Sequence, residues 1–425
     1  MGEETNDEAD ADAREAADNA DSHEAADNAD SREAADDADS QESGSDGAEE
    51  PEAIPVVRRN RQESTNQRGR VFGLVGLVAL LVVGLVGWWS PWSSQAADPR
   101  PVSATSTTSA APIPEEVASG PVAPLTGIPV AGEDAARLMR PALVSKIDGD
   151  RKAMPQEGLD SADLVIEVRV EGISRYLSVW HSSAVDTVGP VRSARTTDLD
   201  LLSMFAKPLF SYSGGNAGVL SSLRRADWFV DVSHDAVPPA YSREQGRVAP
   251  HNLMADTGML WDRAPDVLAV PPAQFEYLAP GEVAPGEAVP AFAVSVGSEA
   301  RFAWDPELGG WRRWAYGIRH DSTSGAPLAP NNVVVIAVDY RSSAADRASP
   351  EAVSVGNGAA WVFTQGSMQE GVWYRDDMFS TWELTDVSGE PMKLTPGTTW
   401  VALADAEPLG LGEAEAASLL APPQG

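Results

Sequence analysis

The chain has no cysteine among its 425 residues. Its absence excludes disulfide frameworks, thiol nucleophiles and Cys-ligated metals. It also excludes a lipid-modified N-terminal cysteine, so any membrane anchor is expected to be a stretch of protein. Cations are scarce, with 31 Lys and Arg against 64 Asp and Glu for a net charge of −33. No basic patch or RNA-binding motif appears, and nucleic acid is not an expected partner. Histidine numbers only five, with no H-x-x-x-H, no H-E-x-x-H and no clustered carboxylates, so no metal is expected. There is neither a Gly-Lys-Ser/Thr phosphate loop nor a dinucleotide fingerprint, and no cofactor is expected.

The negative charge is concentrated at one end. Residues 1–54 carry 21 Asp and Glu against Arg14 and Arg32, a net of −19. Within them "REAADNADS", "HEAADNADS" and "REAADDADS" follow one another from Arg14 to Ser40. A nine-residue repeat with almost no large apolar side chains cannot bury a core, so it reads as a solvated, disordered acidic tail. After it comes a basic juxtamembrane segment, 55–70, with Arg58, Arg59, Arg61, Arg68 and Arg70.

Val71–Trp89, "VFGLVGLVALLVVGLVGWW", is nineteen residues without a charge, close to the ~20 needed to span a bilayer. It is expected to be a single transmembrane helix. Five arginines precede it and the first cation after it is Arg100, which places the N-terminus in the cytoplasm by the positive-inside rule. The polar stretch ahead of the run argues for a retained anchor over a cleaved signal peptide. Residues 90–124, rich in Pro, Ser and Thr, read as an extended stalk that holds an extracytoplasmic domain off the membrane.

From Leu125 the pattern changes. "RPALVSKIDG", "ADLVIEVRVEG" and "SRYLSVWHS" read as strands, Thr197–Ala206 as a short helix stopped by Lys207-Pro208, and "PLFSYS", "GGNAG", "VLSSLRRADW" as strand, turn and helix. Alternating elements over 125–270 predict a mixed α/β N-terminal lobe. Pro-rich residues 271–290 read as a connection. Short strands with turns over 291–403, among them a hairpin at Ser388-Gly389, predict a mostly antiparallel β C-terminal lobe, followed by a C-terminal tail, 404–425.

"GPVRSARTTDLDLL", Gly189–Leu202, places Arg192 and Arg195 just before the predicted helix, with Asp198 and Asp200 in its first turns. Guanidinium groups beside free helix amides suit a phosphate or carboxylate. The competing account is a helix capped by Thr196 or Thr197 whose aspartates consume both arginines. The turn Ser213-Gly214-Gly215-Asn216 lies between strand and helix, where α/β folds place ligands; a tight turn needing positive φ explains the glycines equally. His234 and His251 join the candidate ligand-binding set, though structural roles are favoured for the four histidines of this region. A Ser213–His234–Asp235 arrangement is a weaker candidate, and no catalytic residue is assigned. Glu167, Arg169 and Glu171 read as a cross-strand ion-pair ladder with Arg175 after it, or as a polar pocket if that face lines the same cleft as Arg192. The many tryptophans, Trp180, Trp311 and Trp400 among them, read as core packing over sugar stacking.

The blocks "RPALVSKID", "GLDSADLVIEVRVEGISRYLSVWHS", "DTVGPVRSARTTDLDLLSMFAKPLFSYSGGNAGVL", "APHNLMADT" and "LTPGTTWVAL" resemble the YerB-like family of bacterial surface proteins, domain of unknown function 3048, which occurs in two linked parts. The resemblance covers about Leu125 to Leu403. It implies a fold and a cell-surface address and supplies no mechanism, the family having no established enzymatic activity. Many relatives are lipoproteins, from which this chain departs by its apolar run. The expected function is a non-catalytic, membrane-anchored envelope protein that binds an anionic or carbohydrate ligand, such as a wall polymer. The alternative is an envelope hydrolase or transferase acting on a phosphodiester or glycan, with Asp198, Asp200 or His234 as acid or base.

Overall fold

The computed structural model describes residues 120–265 and 269–422. The acidic repeats, the basic segment, the apolar run 71–89 and the stalk up to residue 119 lie outside them. Among the described residues no helix is long and apolar enough to cross a membrane.

Numbering strands along the chain, the large sheet contains β1 (Leu143–Asp148), β2 (Leu164–Val170), β3 (Ile173–Trp180), β5 (Leu209–Ser211), β6 (Val230–Asp231), β9 (Glu287–Ala288), β14 (Asn332–Ala337), β17 (Gly356–Thr364), β18 (Ser367–Arg375), β19 (Glu383–Asp386) and β20 (Thr399–Ala404). Their order is β19-β18-β17-β14-β20-β2-β3-β1-β5-β6, with β9 beside β18. A second sheet has the order β13 (Ile318–Arg319), β12 (Gly310–Ala315), β11 (Ser298–Asp305), β10 (Ala291–Val296), β21 (Leu409–Leu411). Two small sheets join β4 (Thr187–Val188), β8 (Leu253–Asp256) and β7 (Tyr241–Arg243), and β15 (Tyr340–Ser342) with β16 (Pro350–Ala352). The α-helices are α1 (Thr196–Leu202), α2 (Ala217–Arg225), α3 (Thr257–Trp261) and α4 (Glu413–Leu420).

The large sheet is covered on both faces, which is why its central strands read as continuous apolar runs. On one face Val144, Ile166, Leu177, Val334 and Val401 pack against Leu201, Phe205, Val219 and Leu223 of the helical layer. On the other, Leu143, Val165, Tyr176, Val335 and Trp400 pack against Phe292, Phe302 and Trp311 of the second sheet. The architecture is therefore three layers: helices, mixed sheet and antiparallel sheet.

The two expected lobes do not keep separate sheets. β20 sits between β14 and β2 and pairs parallel with both, so the C-terminal segment contributes parallel pairing and completes the sheet of the N-terminal one. Its strands are otherwise antiparallel, as expected, in β14–β17–β18–β19. The fold also reaches past the expected ends. Ala123 is buried, and Val122 bridges to Pro129. β21 joins β10, and Ala416 of α4 packs with Ala291, Ala303 and Trp314.

Candidate functional site

α1 begins one residue before the expected start, and Asp198 caps it. Asp198 Oδ2 accepts the Arg195 amide at 2.8 Å, filling the amide that a ligand would need. The threonines do other work: the Thr197 hydroxyl accepts from the Ala352 amide and Thr196 bonds Ser343. Asp198 does not pair with either arginine. Its Oδ1 is 2.6 Å from Lys146 Nζ, both side chains fully buried. Burial pulls the Lys146 ammonium below its usual range, and Asp198 opposes the shift. Asp200 is half-buried; burial raises its carboxyl, and its carbonyl accepts from Arg375 at 2.6 Å.

The arginines find their partners on other strands. Arg195 makes a two-pronged contact with Glu171, at 3.0 and 3.1 Å. Glu171 adopts positive φ in the β2–β3 turn. Arg192 Nε lies 3.4 Å from Asp148 Oδ2, and its NH1 donates to the Pro250 carbonyl. Between them is a third guanidinium, Arg175 of β3, only 4% exposed. Arg175 NH1 donates to the Ser193 carbonyl at 3.2 Å, while its Nε is buried with no partner. Among the described residues no carboxylate lies within ion-pair distance of it, though Asp148 and Glu171 act on it from further away. Burial, then the neighbouring Arg195 and Arg192, lower its pKa to about 10.

The backbone ties this cluster to the glycine turn. Ser213 N–H donates to the Arg192 carbonyl, and Ala194 N–H to the Gly214 carbonyl. Gly214 has φ +82°, which a residue with Cβ rarely adopts, and a Cβ there would meet nothing within 4 Å. Asn216 caps α2 by accepting from Val219 N–H at 2.9 Å. Arg192, Arg195, Ser213, Gly214, Gly215 and Asn216 therefore lie in two hydrogen-bonded loops. His251 reaches the same place: its Nδ1 is 2.7 Å from Asp148 Oδ2. His234 bonds the strand that leads into the turn, its backbone N–H donating to the Tyr212 carbonyl, with its ring against Tyr241 and 3.4 Å from Asp235.

The family models match both halves of this architecture. One, described as the N-terminal domain of a protein of unknown function (DUF3048), covers residues 125–268; its C-terminal counterpart covers 291–401. The chain belongs to the DUF3048 family. It is similar to the putative lipoprotein YerB of Bacillus subtilis (strain 168), 36% identical over 133 residues, a match covering 31% of this chain and 38% of that relative. The chain thus spans well under half the length of that curated relative. The crystal structure of the YerB protein from Bacillus subtilis shares the fold, with a TM-score of 0.57 at 21% identity over 67% of this chain and 97% of that one.

Several expectations about this DUF3048 chain change in three dimensions. The Ser213–His234–Asp235 arrangement does not assemble, because the Ser213 hydroxyl donates to the Val191 carbonyl. The Glu167–Arg169–Glu171 ladder disperses. Glu167 pairs with buried Arg313 and accepts from Trp400 Nε1, Arg169 pairs with Asp405, and Glu171 turns to Arg195. His320 is buried between Arg313 and Gln156, and burial beside that guanidinium holds it neutral. Trp180, Trp311 and Trp400 are core residues. Among the described residues no group of His, Asp and Glu could hold a metal ion.

Lys146 and Asp148 were not among the candidate residues, and Arg175 entered only as a neighbour of the Glu167–Arg169–Glu171 strand. The available signal was the alternation of Lys146 and Asp148 inside the apolar strand "ALVSKIDG". Charges on a strand with both faces covered need partners.

Proposed function

We propose that this protein is a membrane-tethered, extracytoplasmic envelope protein whose folded region is a non-catalytic binding module for an anionic group, a phosphate or carboxylate of an envelope polymer. The site is formed by Arg175, Arg192 and Arg195 beside the Ser213–Asn216 turn. The observation that carries this is Arg175: a nearly buried cation with no carboxylate within ion-pair distance among the described residues, where burial and the charges of Arg195 and Arg192 outweigh those of Asp148 and Glu171. An anion would offset that repulsion and satisfy planar donor pairs, as arginine clusters do for phosphate. The apolar run 71–89 with its arginine flank supports the anchored topology. The name of the Bacillus subtilis relative, a putative lipoprotein, supports a surface address.

The test uses the full chain with inorganic phosphate in calorimetry and with a purified phosphate-bearing wall polymer on beads. Wild type should bind both, and the Arg192→Ala/Arg195→Ala double variant should lose at least about tenfold, two charge-assisted hydrogen bonds being involved. Equal binding by the double variant refutes the reading.

One contact favours the hydrolase or transferase alternative. Asp148, 1% exposed, orients the ring of His251 at 2.7 Å next to Arg192. A carboxylate-held imidazole beside an anion cluster has the parts of a general base with charge stabilisers. Cleavage of bis(p-nitrophenyl) phosphate by wild type and not by His251→Gln would move the assignment from binding to catalysis.

A further inference from the structure

The carboxylate of Asp148, at the end of β1, fixes what the outer edge of the arginine cluster offers to a ligand. Its Oδ1 accepts the Asp150 amide at 3.0 Å. Its Oδ2 holds two groups side by side, His251 Nδ1 at 2.7 Å and Arg192 Nε at 3.4 Å. An ionised carboxylate only accepts, so in the neutral imidazole the proton sits on Nδ1 and the lone pair on Nε2. His251 Nε2 and Arg192 NH2 have no partner among the described residues, and both side chains reach solvent, 12% and 20% exposed. The unpartnered atoms sealed from solvent in this cluster are the Nε atoms of Arg175 and Arg192, so a free donor and a free acceptor face outward together. A site made of cations alone would present donors only.

Resting on the anion-binding reading above, we propose that the ligand is a polyol phosphate, a phosphate with a hydroxyl on a neighbouring carbon, and that His251 selects for that hydroxyl. A phosphodiester or a fully ionised phosphate has only acceptor oxygens, which suit the guanidinium groups but leave Nε2 facing another acceptor. The donor that meets Nε2 must therefore come from beside the phosphate. A cationic donor such as an ammonium is repelled by Arg175, Arg192 and Arg195. An amide N–H can only donate, whereas a hydroxyl donates to Nε2 and accepts from Arg192 NH2 at once. A ligand lacking the hydroxyl leaves both groups unpaired, which is how a polar site rejects an analogue of similar size. His251 is then the specificity-determining residue of the cluster, and Asp148 is its positioning residue.

The experiment is calorimetry of the full chain at about pH 8, above the ordinary imidazole range, with glycerol 3-phosphate, n-propyl phosphate and phosphoethanolamine. Glycerol 3-phosphate should bind roughly threefold to tenfold tighter than propyl phosphate, the range for one neutral hydrogen bond, and phosphoethanolamine no tighter than propyl phosphate. His251→Asn keeps an amide N–H for Asp148 and lacks the outer acceptor; it should bring the ratio of the two affinities close to one, and His251→Phe, which keeps the ring, should do the same. The ratio is read because a merely structural role for His251 would weaken both ligands alike. Two sources carry this chemistry, a polyol-phosphate polymer and the headgroup of a glycerophospholipid. Displacement of glycerol 3-phosphate by soluble poly(glycerol phosphate) or by phosphatidylglycerol vesicles supports the class and names the source. Propyl phosphate bound as tightly as glycerol 3-phosphate, a ratio unchanged in both variants, a preference for phosphoethanolamine, or displacement by neither source would overturn the assignment and leave the anion site standing. Silence from all three phosphates would remove the anion site itself, and this assignment with it.

Discussion

Replacing Arg175 with Met should stabilise the ligand-free protein while abolishing its response to anions. The guanidinium is 4% exposed and its pKa is lowered to about 10 by burial and by Arg195 and Arg192. At 1.36 kcal/mol per unit, holding that charge in the fold costs about 3 kcal/mol at neutral pH, an upper bound. The substitution gives up one hydrogen bond to the Ser193 carbonyl, worth about 1 kcal/mol, and keeps most of the side-chain volume. The net gain is about 1–2 kcal/mol, and at ~2–3 °C per kcal/mol for a fold of this size the melting temperature should rise by several degrees. Phosphate or sulfate should raise the wild-type melting temperature above a chloride control of equal ionic strength, and leave Arg175→Met unmoved. Circular dichroism melts of both proteins in the three salts decide it. A variant that melts well below wild type, with wild type indifferent to anion identity, would mean that Arg175 is a structural strut and the cluster binds nothing.

Other outcomes follow from the same contacts. Lys146→Met leaves Asp198 buried without its partner and should cost about 3–5 kcal/mol in urea unfolding. The double variant Lys146→Met/Asp198→Asn should recover part of it, and a single-variant cost below about 1 kcal/mol would contradict the buried pair. Gly218→Ala, ordinarily stabilising in a helix by up to about 1 kcal/mol, should destabilise here, because a Cβ would lie 2.3 Å from the Ala345 carbonyl oxygen; a raised melting temperature would refute that contact. Burial and Arg140 lower His181 to about 4 from 6.5, and His320 shifts the same way. The unfolded chain therefore takes up protons first, so their stabilisation is intact above about pH 6.5 and is lost as pH falls toward 4. For His181 the loss is at most ~3 kcal/mol. His181→Gln should flatten the urea midpoint between pH 7 and 4.5, and an identical slope in variant and wild type would remove His181 from the account.

Local patterning made much of the fold readable. β1, β2 and β3 were legible because an apolar run bounded by turn residues has few other uses. α2 was legible from Asn216 before an amphipathic stretch and the glycine turn before it. The end of the α1 region was legible too: Ala206 and Lys207, both at positive φ, stop it just before Pro208. The pairing of β20 with β2 was not, since residues 399–402 and 164–167 carry no mark of each other and are joined only by the global burial of both faces. The candidate site divides along the same line. Arg192, Arg195 and the Ser213–Asn216 turn are close in sequence and remain close in the fold. Their carboxylates, Asp148 at the end of β1 and Glu171 in the β2–β3 turn, are brought in by strand register, where one residue of slip changes the face.

The position of β20 has a consequence for how this chain comes to be folded. Until residues 399–404 have emerged, β2 and β14 each present an open edge of unpaired amides and carbonyls, both in strongly apolar strands, and such edges pair readily with other chains. The strands of the sheet made before residue 399 must therefore wait, unsealed, for a late strand to close them from both sides. Closure of this kind is slow for its length because its contacts are far apart in sequence. A molecule ending before Thr399 would be left with two adhesive edges, and its fate would be self-association instead of partial function.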